Sequence, residues 1–287
     1  MDQIQVMDCS YGKSFFRFID DFWRAKRIPA IHRLCTLMRK MKARSVIVEE
    51  MEPGLKEWEP VAIELKSIEK RLGRAVPARV CKLTFVLAEK GAVEAGLDSL
   101  RDNDFIGYAR VVNLDLGNGI IRSYIFESIV RELGRPTNVC GGDVTWYPLL
   151  NNYLHVKKDF TCNVGIGKHS EKGKEYKLPG SFFCQQNAIT SVCAHAAAAM
   201  VLNNCKEVGH IVTCEEVNRH LGIDQETRML HVSSWLPWAE NDYATQPGLT
   251  RWELEALFRR FGFRAYPVGF LGDMASPALL LAPLSMG

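Results

Sequence analysis

The chain has 287 residues, of which 47% are apolar and 24% charged, with a formal net charge of +3. That length buries a sizeable core and favours two domains over one, and the composition marks an ordinary soluble globular protein. So small a net charge does not imply a polyanionic partner for the chain as a whole, and no run reaches the roughly 18 uninterrupted apolar residues of a membrane span.

Taken in chain order, Met1 to Asp8 hold two aspartates and no apolar core of an export leader. Phe15, Phe16, Phe18, Ile19, Phe22 and Trp23 crowd a first helical segment, and Ile31, Leu34, Leu37 and Met38 recur at helical spacing in a second. A third helix is predicted from Val61 to Leu72. Strands follow over Arg79–Leu87 and Ile106–Leu116, the latter closed by the turn signal Gly117-Asn118-Gly119. Ile120–Leu133 reads first as extended and then as helical, and Asn151–Ile166 as one or two strands. Gly165 to Lys174 is loop-like, a linker or a long hairpin tip. Beyond it a cysteine-led helix is expected from Ala194 to Leu202, and another from Thr213 to Gly222. Leu230–Tyr243 is irregular and rich in Trp and Pro. Thr250-Arg251-Trp252-Glu253 is a capping box opening a helix that ends near Gly262, and Phe263–Phe270 alternates like a strand. The pattern is α+β without internal repeats.

Nine cysteines stand at 9, 35, 81, 140, 162, 184, 193, 205 and 214, with no CxxC pair. An odd count without an export leader reads as reduced thiols in a cytoplasmic compartment, most of them buried and structural.

The most informative stretch is Cys184-Gln185-Gln186-Asn187-Ala188-Ile189-Thr190-Ser191-Val192-Cys193, followed by Ala194-His195-Ala196-Ala197. Side-chain amides precede a cysteine that opens a helix. A helix N-terminus stabilises negative charge and lowers a thiol pKa, and an upstream amide can donate to the oxyanion formed on acyl attack.

Residues 180–270 resemble the papain-like cysteine peptidases, and within them the C39-like branch. The resemblance rests on the amide-Cys-small-residue-helix segment and on Gly248-Leu249-Thr250, Leu254, Leu257 and Gly262-Phe263-Arg264-Ala265, a helix-to-strand passage typical of those domains. It implies Cys193 as nucleophile on a peptide amide of a peptide or protein substrate, with no cofactor and no metal. The family's amide stands six residues ahead of the cysteine, which is Asn187 here. Gln186, one residue earlier, has the longer reach and is favoured as oxyanion donor. The implied architecture is an N-terminal α+β domain of unassigned role over 1–170, then a papain-like domain over 171–287 that is incomplete at its C-terminus.

The family's general base is a histidine on a strand well downstream. No histidine follows His231, so the chain is expected to lack the histidine strand, and His231 is the candidate substitute. His195 lies two residues past Cys193 on the same helix, about 200° round, and is expected to pack. His155 and His169 precede the cysteine without a supporting signal. Cys205, His210, Cys214 and His220 are spaced loosely for zinc but lack tight pairs. Arg24 to Arg44 holds eight cations and no acid, and reads as a solvated helix face in preference to a nucleic-acid patch. Gly141-Gly142-Asp143 lacks the context of a phosphate loop. The competing readings are a catalytically inactive papain-like binding module and a transglutaminase- or acyltransferase-type enzyme, which would share the same cysteine.

Overall fold

The computed structural model describes residues 4–9, 29–131, 158–165, 173–191, 193–223, 249–268 and 278–283. Its chief element is a sheet of β1 (Ile4–Asp8), β2 (Ser45–Met51), β3 (Ala78–Val86), β4 (Phe105–Asp115), β5 (Ile121–Arg131), β6 (Lys158–Val164) and β7 (Lys174–Phe183). All neighbours are antiparallel, in the order β1-β2-β3-β4-β5-β7-β6. The helices are α1 (Pro29–Lys40), α2 (Glu59–Leu72), α3 (Lys90–Ala95), α4 (Cys193–Asn204), α5 (Cys214–Leu221) and α6 (Arg251–Arg260). A separate antiparallel pair, β8 (Phe263–Val268) and β9 (Ala278–Pro283), follows α6. The chain is α+β, and among the described residues no helix is long and apolar enough to cross a membrane.

Both faces of the sheet are covered, so its central strands are largely apolar, with a few buried polar and charged side chains among them. In β4 every residue but Asp115 is buried. On one face Ile31, Leu34, Cys35 and Met38 of α1 pack on Val46, Val48, Leu83, Phe85, Val111 and Ile125. On the other, Val61 and Ile68 of α2 pack on Val80, Val112, Leu114 and Tyr124. Beside them, Ala196 and Ala199 of α4 pack with Ile47, Phe105, Phe160, Tyr176 and Phe182. The opposite side of α4, Ala198 and Leu202, meets Val217 of α5, Leu257 and Phe258 of α6, and Phe263 of β8. A helix covered on two sides needs small apolar residues all round, which accounts for the run of alanines.

Several local signals act as the sequence predicts. Thr213 caps α5 by accepting from Glu216 N, and Gly222 ends it at φ 65°. The Thr250–Glu253 capping box opens α6. Gly117, Asn118 and Gly119 turn β4 into β5 with φ of 78°, 53° and 75°. One expectation is corrected. The second half of Ile120–Leu133 is not helical as far as it is described, because β5 stays extended to Arg131. Its Tyr124, Ile125, Phe126, Ile129 and Val130 are all buried, and such aromatic and β-branched side chains suit a sheet covered on both faces. Strand β2, whose apolar core is only Val46-Ile47-Val48, is missing from the sequence reading. The loop-like stretch after Gly165 joins β6 to β7, which pair as a hairpin. The boundary drawn at 170/171 falls between these two paired strands. Phe15–Trp23 and Leu230–Tyr243 lie outside the described residues.

β7 runs through Pro179-Gly180, and Gly180 pairs with Arg131 of β5. A Cβ at Gly180 would come within 2.2 Å of the Val130 carbonyl oxygen, so only glycine lets β5 and β7 approach this closely.

Candidate functional site

The end of β7 and the start of α4 are joined by nine residues, 184–192, among which Gln185 and Asn187 do most of the positioning. Gln185 extends the pairing with β5: its backbone N donates to Ile125 O at 2.8 Å, and its Oε1 accepts from Ile125 N at 2.9 Å. At the far end of α4, Asn204 closes a similar clamp on β7, its Oδ1 accepting from Phe182 N and its Nδ2 donating to Phe182 O at 2.8 and 3.0 Å. The helix that opens on Cys193 is thereby fixed to the sheet at both ends.

Between these clamps Asn187 organises the loop. It is wholly buried. Its Oδ1 accepts from the backbone N–H of Ile189, Thr190 and Ser191 at 2.8, 2.8 and 3.2 Å. Its Nδ2 donates to Thr190 Oγ1 at 2.9 Å, and its amide also hydrogen-bonds the Glu64 carboxyl. Its backbone N donates to Ser191 Oγ, and its carbonyl accepts from Arg122 Nε. This network holds Ala188 at φ 64°, a left-handed conformation that costs a non-glycine residue about 1–2 kcal/mol.

Asn187 therefore joins the loop to a buried polar junction between α2, β5 and α5. Glu64, on α2, is hydrogen-bonded by Tyr124 Oη and is 3% exposed. Burial pushes its carboxyl up to about 7, against the two hydrogen bonds that favour the charged form and with the Glu215 charge adding to the rise. Glu215 takes a hydrogen bond from Ser67 Oγ at 2.7 Å, and burial raises it too. Asn218 of α5 donates through Nδ2 to Thr190 O at 3.0 Å, which ties α5 to the loop ahead of α4.

The sequence-predicted site residues divide as follows. Cys193 is the first residue of α4, where the helix presents unpaired backbone N–H groups. Asn187 is engaged through both ends of its amide. Gln186 lies beside it, and its Oε1 is buried without a hydrogen-bond partner. His231 and Cys140 are outside the described residues. His195 is wholly buried in α4. His210 and His220 both contact Glu216 Oε1, at 2.9 and 3.4 Å, and both rings stand against Phe261.

Six other thiols are raised above their ordinary value. Burial pushes Cys9, Cys81 and Cys162 up to about 12, and also raises Cys35 well above its ordinary value. Cys205 is also raised by burial. Cys214 is raised well above the usual range, first by its hydrogen bond with Cys184 and then by burial. Each of these is a poor nucleophile near neutrality, since the thiolate is the reactive form.

Sequence reasoning missed the Glu64–Tyr124–Asn187 junction and a second charged cluster on β3, β4 and β5. The second left a signal: Lys82, Arg110 and Glu127 are charges in the middle of largely apolar strands. A lone charge at such a position is either paired or functional. Comparison with protein-family models, with curated proteins and with solved structures finds no match to this chain.

Proposed function

We propose that the chain is a papain-like, C39-like thiol enzyme in which Cys193 attacks the carbonyl of a peptide amide. The observation that carries the reading is the division of labour among three consecutive amides just ahead of the helix. Gln185 holds β5, Asn187 holds the loop, and the buried Gln186 oxygen meets no donor. An amide that is not anchored through its oxygen can turn its N–H toward a developing oxyanion. Asn187, whose amide already serves Thr190 and Glu64, cannot do so without opening the loop. The assignment therefore goes to Gln186, with the backbone N–H of Cys193 as second donor.

The roles follow from this placement. The N-terminus of α4 favours the thiolate over the thiol. The sulfur electron pair adds to the carbonyl carbon while the carbonyl π pair moves onto oxygen, where Gln186 and the Cys193 N–H receive the charge. Collapse expels the amine, which takes the proton that the general base received from the Cys193 thiol, and leaves a thioester on Cys193. Water then hydrolyses the thioester, or a second amine takes the acyl group in a transferase. His231 is the base assigned here.

The test is acyl trapping. The folded chain is incubated with p-nitrophenyl acetate, and the adduct is located by peptide mass spectrometry. The reading expects an acetyl group on Cys193, and a Gln186→Ala variant that acylates about 100-fold more slowly, as for loss of one oxyanion donor. Acetylation spread over other residues, or a rate untouched by Gln186→Ala, would contradict it.

A further inference from the structure

Glu64 of α2 is buried and takes no part in the thiol chemistry, yet it belongs to a closed ring of side chains around the turn that carries Gln186. Asn187 hydrogen-bonds the Glu64 carboxyl and donates through Nδ2 to Thr190 Oγ1 at 2.9 Å. Asn218 of α5 donates through Nδ2 to Thr190 O at 3.0 Å and to Glu215 Oε2 at 3.2 Å. Ser67, one turn beyond Glu64 on α2, donates to Glu215 Oε1 at 2.7 Å. The circuit runs from α2 through the turn to α5 and back to α2.

Both hydrogen bonds to the Glu64 carboxyl come from neutral groups, Tyr124 and Asn187. The neighbouring elements bring the other titratable and charged groups. From α5 come Glu215 and Cys214, with Arg219 acting on Glu215. From β5 comes Arg122, whose Nε donates to Asn187 O at 3.2 Å. A charge on Glu64 is thus faced by a second carboxylate, and burial with that repulsion outweighs the two bonds that favour the ionised form. Water would relieve the charge, but to enter it must displace a neighbour. Tyr124 is held in β5, its backbone opposite Val112 of β4. Asn187 stands in a turn whose Ala188 is at φ 64°, so the turn gives way first.

We propose that Glu64 is a positioning residue for the Cys193 site: protonated, it keeps Asn187 in the ring and Gln186 in place; ionised, it draws in water, releases Asn187 and lets Gln186 leave. The effect on acylation rests on the thiol reading of Cys193, whereas the opening of the turn does not. Opening is coupled to the loss of one proton. It therefore grows as pH rises from the ordinary carboxyl value of 4.5 to about 7, and then levels.

Two measurements on the folded full-length chain test this. The first is hydrogen exchange at the N–H groups of Ile189, Thr190 and Ser191, which donate to Asn187 Oδ1. Corrected for the intrinsic pH dependence of exchange, their protection should fall by at least about tenfold between pH 5 and pH 8, and should not fall in Glu64→Gln. Glu215→Gln removes the facing charge and should make the fall smaller, which keeps the test decisive if Glu64→Gln does not fold. The second is the rate of Cys193 acetylation by p-nitrophenyl acetate, located by mass spectrometry. Thiolate increases with pH in both proteins, but from pH 6 to pH 8 the rate should rise at least about threefold less in the parent chain than in Glu64→Gln. Protection independent of pH, the same fall in Glu64→Gln, an unchanged profile in Glu215→Gln, or parallel acetylation profiles would overturn the proposal. The expected exchange pattern without acetylation of Cys193 at any pH would overturn the nucleophile assignment alone, and support the dependence of the turn on Glu64.

Discussion

At the scale of single residues, Glu64 is the group whose setting has the clearest consequence. Its carboxyl titrates at about 7 in the fold, against an ordinary value of 4.5. The folded pKa is the raised one, so the folded state holds its proton where the unfolded chain has lost it. The contribution to stability is fully present below about pH 4.5 and is lost as pH rises to about 7. The loss amounts to about 3 kcal/mol. Urea unfolding at pH 5 and pH 8 should show Glu64→Gln flattening that difference and stabilising the protein at pH 8, because glutamine keeps the partners without the charge. A pH dependence identical to that of the parent chain would show that Glu64 is not the group responsible. Asn187 gives a second residue-scale prediction. Asn187→Ala leaves three loop N–H groups without their acceptor, and should cost about 3 kcal/mol or more by urea unfolding. The candidate residues here were only partly legible in the sequence. The amide run and Cys193 stand out as types, but which amide is structural depends on Ile125, Thr190 and Glu64, all brought to it by the fold.

At the scale of elements, α4 and β7 set the site together. α4 is packed on the sheet by Ala196 and Ala199 and on α5, α6 and β8 by Ala198 and Leu202. Ala199 is wholly buried, so Ala199→Leu should overpack the interface and cost about 1–3 kcal/mol, read as a lower urea midpoint. Gly180→Ala should cost at least about 2 kcal/mol, because the added methyl meets backbone and not a flexible side chain. A midpoint unchanged by Gly180→Ala would mean that β5 and β7 separate more easily than their register implies. Elements announced by caps and turns were legible: α5 from Thr213 and Gly222, α6 from its capping box, and the β4–β5 turn from its glycines. Elements lying in a sheet covered on both faces were harder to read. β2 is seven residues with no alternation of polarity, and the apolar density of β5 imitates a helix, since burial on two faces erases the period of two.

At the scale of the whole molecule, the seven-stranded sheet is what no local signal encodes. The pairing of β5 with β7 makes neighbours of strands far apart in the chain, whereas Lys82, Arg110 and Glu127 are aligned by the register of the consecutive strands β3, β4 and β5. The same assembly sets the behaviour of the thiols. Cys9, Cys35, Cys81, Cys162 and Cys214 are all buried and all raised in pKa, and so form an unreactive background against which Cys193 can be read. The most direct measurement is the rate of iodoacetamide labelling against pH on the folded protein, resolved by mass spectrometry at every cysteine. The account predicts that Cys193 labels first, with an apparent pKa below about 8.5, while Cys9, Cys81 and Cys162 stay protected through neutral pH. Labelling of Cys193 no faster than Cys205, whose thiol burial holds above its usual value, would contradict the nucleophile assignment and leave Cys193 a structural residue.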